Sequence, residues 1–435
     1  MRRIRSTRAG RIVSALVDGL WLVPSLCVLA AVVAGIVLLR WDESDPVTLS
    51  HAINPSSATA ALAALGSGML AFTGFVTAVV MMVVQFGTSE FSPRYLSWFR
   101  RDWTLKVALG VFTSTFVFAL VATAQVARGD GSFVPTRTLV AALLLMVLSI
   151  AMFLALIDLS SSGLRVASVV QAVDAEARRI FDAVYPAASS EVEATDATVQ
   201  SLKGRRPVQT IRQGPVGAVV VALDRGRFAR EAERHDVVVV LVPAVGDHVP
   251  ADGPLLEVYG AHPVPERPLR RAVLLGDERT LDDDPGFAIR LLVDVAIKAL
   301  SPAVNDPTTA VQSLDRIEDV LRYAASKHLS NGVVTGRTGC VRLIYPTPEW
   351  DDLVELALDE IRAFGAGQYQ IARRIRALLE TLVDDVPERR RNALTRQLAL
   401  LDDAVAAAIP EHQRTDALVA DRQGIGMARR RSITA

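Results

Sequence analysis

The sequence predicts an α-helical membrane protein: four transmembrane helices, then a cytoplasmic α+β region with a small β module and a helical C-terminal part. Three observations carry this. Of 435 residues, 51% are hydrophobic and only 22% charged, which is too apolar for an ordinary soluble chain. The excess lies in four long blocks before Ser160, each able to cross a hydrocarbon core about 30 Å thick. Beyond Ser160 the pattern becomes that of a soluble protein, with short β-rich runs from Pro207 to Tyr259 and capped helices after Arg267. The 47 basic and 47 acidic residues cancel, excluding a uniformly basic nucleic-acid binder and a uniformly acidic disordered chain. Cys27 and Cys340 fit no disulfide framework, zinc site or redox motif.

The blocks run about Val17 to Leu39, Ala60 to Phe86, Leu105 to Val126 and Thr138 to Leu159. The first follows five arginines, but its apolar run is too long for a cleavable signal and reads as a retained span. Trp21 and Trp41 stand 20 residues apart, about 30 Å as helix and the separation of two membrane interfaces, while Trp98 and Trp103 flank the start of the third span, as interfacial rings do. Asp42, Glu43 and Asp45 make the first loop acidic, whereas the next carries Arg94, Arg100, Arg101 and Lys106. Arg165, Arg178 and Arg179 follow the last span. This alternation predicts a multi-pass protein of the inner (plasma) membrane with both termini cytoplasmic. No charge lies deep in a span, which disfavours a pump built on a mid-membrane carboxylate relay.

The second block carries an unusual stripe. Thr73, Thr77, Met81, Gln85 and Thr88 follow steps of four, four, four and three, so they share one helical face. Gly66, Ser67, Gly68 and Gly74 add small residues. Either the stripe packs against other helices, as small and hydroxyl residues do in membranes, or it lines water. Thr73, Thr77, Gln85 and Thr88 are accordingly the pore-lining candidates. Past its end, aromatics alternate with arginines, and Arg94, Trp98, Arg100, Arg101 and Trp103 read as a membrane-interface segment or as a docking elbow for the soluble part.

The chain divides into a four-span part (1–160), a juxtamembrane helix and linker (161–206), a β-rich module (207–266), a helical domain (267–412) and a basic disordered tail (413–435). Ser160 to Gly163 suggests a kink before an amphipathic helix, Leu164 to Val184. Strands are expected at Ala218 to Leu223, Val237 to Val242 and Leu255 to Tyr259, with a short helix at Arg227 to His235. The phrase from Val245 to Val258 is similar to the turn and strand of lipoyl- and biotinyl-like β domains, but no carrier lysine stands at a matching hairpin tip. Asp284, Asp306 and Thr347, each followed by proline, cap helices over Pro285 to Leu300, Pro307 to Lys327 and Pro348 to Phe364. Two more follow, about Gln368 to Val383 and Pro387 to Ala408.

Phe91-Ser-Pro-Arg94, the helix from Asp284 to Leu300 and the turn Ser301-Pro-Ala-Val-Asn-Asp-Pro-Thr-Thr-Ala310 together resemble the bacterial membrane protein family catalogued as domain of unknown function 2254. The resemblance covers nearly the whole chain. It implies a membrane part joined to a cytoplasmic part and carries no activity with it. In the turn, Asn305, Asp306, Thr308 and Thr309 crowd a helix N-terminus and are candidates for holding a small ligand; helix capping accounts for the same residues.

No phosphate-binding glycine loop, zinc-protease helix or nucleophile elbow occurs, and the six histidines show no metal-ligand spacing, so neither enzyme, cofactor nor metal is implied. Two functions remain. The first is a homo-oligomeric pore or transport-related protein for a small ion or solute, with the second span on the axis and the cytoplasmic part as gate. The second is a membrane-anchored regulatory or scaffolding protein whose large cytoplasmic part binds a ligand or partner.

Overall fold

A computed structural model describes residues 19, 21–44, 55–90, 103–126, 135–163, 166–185, 202, 204–329, 332–337 and 339–427. It comprises two compact units, 1–165 and 166–435.

Among the described residues the first unit contains four helices long and apolar enough to cross a membrane. They are α1 (Leu22–Ser44), α2 (Pro55–Glu90), α3 (Trp103–Val126) and α4 (Thr136–Gly163). The first ends about five residues later than its hydropathy suggests, because Trp41 and Asp42 belong to the helix, while its expected start at Val17 lies outside the described residues. The last runs unbroken through Ser160 to Gly163, where a kink was expected. Central in the unit is α3, packed against each of the other three. Near its start Gly110 admits α1 so closely that an added Cβ would sit 2.9 Å from Cys27 Sγ and 3.4 Å from Pro24 Cα. Further along, Gly35 meets Val121 and Phe118. Early residues of α1 thus face early residues of α3, and the two helices run parallel. Phe72 of α2 meets Phe112 edge-on at 5.4 Å, while Gly66 lies against Ala119, so α2 runs antiparallel to α3. The Thr115 and Ser149 hydroxyls pair at 3.0 Å between α3 and α4. Direction alternates from helix to helix, as four successive crossings require.

The second unit opens with α5 (Val166–Val184), whose apolar face, including Val173, Ile180 and Phe181, joins a helical core. That core is completed by α8 (Pro285–Ala299), α9 (Pro307–Ala325), α10 (Trp350–Gly365), α11 (Tyr369–Asp385), α12 (Glu388–Ala408) and α13 (Glu411–Ala417). Asp284 caps α8 through Phe287 N at 2.9 Å, with proline at the first helical position. The expected Thr347–Pro348 start of α10 is not used. Glu349 is the cap residue, and its amide donates to Asp352 Oδ2 at 2.8 Å, an acceptor that Thr347 lacks three positions on. Arg390 of α12 is buried, lies 5.1 Å over the Trp350 ring and donates to the Ala324 and Lys327 carbonyls, tying off the C-terminus of α9. Burial and the neighbouring Arg389 lower its pKa to about 10.

Among the described residues eight strands form two sheets. They are β1 (Gln209–Arg212), β2 (Ala218–Leu223), β3 (Val238–Leu241), β4 (His248–Val249), β5 (Pro254–Tyr259), β6 (Val273–Gly276), β7 (Gly332–Thr335) and β8 (Val341–Tyr345). The larger sheet has the order β1-β5-β3-β8-β7 and the smaller β4-β2-β6. All pairs are antiparallel except β3 with β8. Short α6 (Arg225–Arg234) buries Phe228 and Ala232 in the sheet core, joined by Leu269 of α7 (Glu266–Arg270). The sheets therefore draw on 273–276 and 332–345 as well as on 207–266.

The disordered tail expected from 413 onward is corrected for the described residues. Helix α13 reaches Ala417, and the loop after it is pinned by buried Asp421, whose carboxylate accepts the amides of Gln423, Gly424 and Gly426 at 3.0, 3.1 and 2.7 Å. Arg373 of α11 donates to the Asp416 and Gly426 carbonyls. Polarity suggests a loose tail, but the Asp421 carboxylate is consumed by backbone partners.

Candidate functional site

The stripe on α2 divides when folded. One seam, including Leu62, Met69 and Val76, is buried within the unit. The opposite seam, Ala64, Ser67, Ala71, Gly74 and Ala78, is spaced by threes and fours and is exposed throughout. A Cβ added at Gly68 or Gly74 would meet nothing within 4 Å. Thr73 sits half-buried at the border between the seams, whereas Thr77, Met81 and Gln85 continue the exposed one. The Thr73 hydroxyl donates to Met69 O at 2.7 Å and that of Thr77 to Thr73 O at 2.8 Å. Each hydroxyl keeps acceptor capacity for a second partner. Thr88 lies within α2 near its end. Trp103 opens α3 and is exposed, while Arg94, Trp98, Arg100 and Arg101 lie outside the described residues.

Two buried charges belong to the helices rather than to the loops in which sequence reasoning counted them. Lys106 is 1% exposed and stands one turn into α3. Asp42, also 1% exposed, reaches from the end of α1 to the start of α4 and accepts from Arg137 N at 3.1 Å, Thr138 N at 3.0 Å and Thr138 Oγ1 at 2.8 Å. Arg137 covers this contact, lying 4.8 Å over the Trp41 ring and donating to Trp41 O at 3.1 Å. Asp42 thus caps a helix other than its own. The only hint in sequence was a carboxylate beside an interfacial tryptophan.

The turn 301–310 closes on itself. Asn305 takes a left-handed φ of 47°, Asp306 N donates to Ala299 O at 2.8 Å, and Asp306 accepts both Thr309 N at 3.1 Å and Thr309 Oγ1 at 2.6 Å. Both carboxylate oxygens are engaged in capping α9. Thr308 is exposed beside them.

Elsewhere in the second unit, Arg225 joins α5 to the sheets, with Nη1 on Ala183 O at 3.1 Å, Nη2 on Asp283 at 3.3 Å and the guanidinium 5.5 Å from the Tyr345 ring. Tyr185 donates to Pro348 O at 2.7 Å, and burial holds its phenol well above the ordinary value. These contacts link layers of the unit and present no reactive group.

Among the described residues, four helices apolar enough to cross a membrane, followed by a unit of small sheets and helices, are the architecture of a predicted multi-helix membrane protein. The chain belongs to a family described as predicted membrane protein (DUF2254), whose model matches residues 18–381. It is similar to uncharacterized proteins of Mycobacterium bovis and Mycobacterium tuberculosis, at 27% identity over 408 residues, covering 91% of this chain and 77% of the relative. No solved structure matches.

Proposed function

We propose that the protein is a homo-oligomeric pore or transport-related protein of the plasma membrane, in which copies of α2 meet along their exposed seam. Both termini and the second unit are cytoplasmic in this reading, and the second unit gates or regulates. The observation that carries it is the unbroken seam of small residues on α2, continued by Thr77 and Gln85. Small side chains let helices approach closely in lipid, where packing rather than hydrophobicity drives association. Four helices with a filled interior leave little room for a path within one chain, so a path for a small ion or solute runs between copies. The alternating basic and acidic loops support the orientation.

Reconstitution into liposomes tests the function. Flux of a small ion or solute that changes on Thr77→Val or Gln85→Leu is the expected result. Absence of flux, together with failure of cysteines placed at Gly74 or Ala78 to cross-link copies, refutes the pore and the seam alike. Cross-linking without flux leaves the seam and removes the pore, favouring a membrane-anchored regulatory module.

A further inference from the structure

Between α9, α11 and the loop after α13 lies a cavity of about 360 Å³ whose lining is polar and charged. Arg374 of α11 lines it and is 5% exposed. Its Nε donates to Asp315 at 2.7 Å and its Nη2 to Glu318 at 2.6 Å. Nη1 has no partner among the described residues, yet it stays within reach of solvent, unlike the buried unpaired Nε atoms of Arg225, Arg342 and Arg376. The carboxylates around it are matched: Asp315 and Glu318 by Arg374, and Asp319 by Arg316 at 3.0 Å.

The lining's three carboxylates and three arginines balance in charge, yet one of the arginines holds no carboxylate. Arg422 is exposed and makes no ion pair or hydrogen bond among the described residues. Its backbone is nonetheless held in place, because its neighbour Asp421 is buried and accepts three backbone amides of the same loop. A fixed loop therefore sets an unpaired guanidinium at the wall of a cavity that already contains a second guanidinium with a spare edge.

We propose that this cavity binds a small molecule bearing an oxyanion, phosphate or carboxylate, through Arg422 and the Nη1 edge of Arg374. Guanidinium donors match either group in geometry and charge. The volume falls at the lower end of small-molecule sites, about 300–1,000 Å³, leaving room for a small organic body beyond the anionic head. Asp315 and Asp319 at the wall select against a polyanion and favour a head of low charge.

The test uses full-length protein in detergent. Its thermal midpoint is followed in sodium phosphate, sodium acetate or sodium chloride at matched ionic strength. A rise of about 2–5 °C over chloride with phosphate or with acetate is expected, since a ligand that binds only the folded state stabilises it by mass action. The anion that produces the rise identifies the head group. Arg422→Gln, an exposed change that leaves the chloride midpoint in place, abolishes the rise. No rise over chloride with either anion, or a rise that survives in Arg422→Gln, overturns the proposal.

Discussion

Replacing Asp42 by alanine tests whether the first unit is held together at that end by one carboxylate. The side chain is 1% exposed and accepts three hydrogen bonds, two from the first amides of α4 and one from Thr138 Oγ1. Loss of a capping side chain costs about 1 kcal/mol on average, and hydrogen bonds to a charged group contribute about 1.5–3 kcal/mol each, with the stranded donors buried. These values overlap rather than add, so we expect Asp42→Ala to destabilise by about 3 kcal/mol. For a unit of this size that is a fall of roughly 6–12 °C in thermal midpoint. The assay is a thermal series in detergent read by size-exclusion chromatography. Asp42→Asn, which keeps one acceptor oxygen, should recover about half of the loss. A fall below about 2 °C in Asp42→Ala would mean that water or neighbouring groups satisfy the α4 amides, and the capping account would be wrong.

Gly110→Val places a branched side chain where even a Cβ lies 2.9 Å from Cys27 Sγ. It should force α1 from α3 at a cost of about 1–3 kcal/mol, seen as a lower midpoint in the same series, whereas Cys27→Ala should partly restore it. In the second unit, hydrogen bonding to Arg290 lowers the Glu360 pKa. The stability this provides is present above the ordinary glutamate value and is lost as pH falls through the depressed one. Because Glu360 is half exposed, the effect should stay below about 1 kcal/mol, and Glu360→Gln should flatten the acid limb of a stability–pH profile.

What could be read from the sequence follows how local each determinant is. The caps at Asp284 and Asp306 were legible because cap and first turn lie within three residues of each other. Strand β2 was legible because its apolar run is unbroken. Strands β7 and β8 were not, since each is short and their place depends on β8 running parallel to β3, about 100 residues away in sequence. Asp421 looked like one more acid in a polar tail, because its partners are backbone amides that composition does not reveal. The α2 stripe was visible as periodicity, yet only folding shows that Thr73 borders the packed side while Thr77 and Gln85 face outward.

Asp42 and Thr138 stand 96 residues apart, and this gives the first unit an order of events in time. At about 5–20 residues per second, the carboxylate emerges from the ribosome some 5–20 s before the amides it will cap. Until α4 arrives, α1 carries an acid at its end with no partner on α4. The last of the four helices is therefore the one that completes the first, and a chain stalled after α3 would present an unfinished end for quality control to recognise.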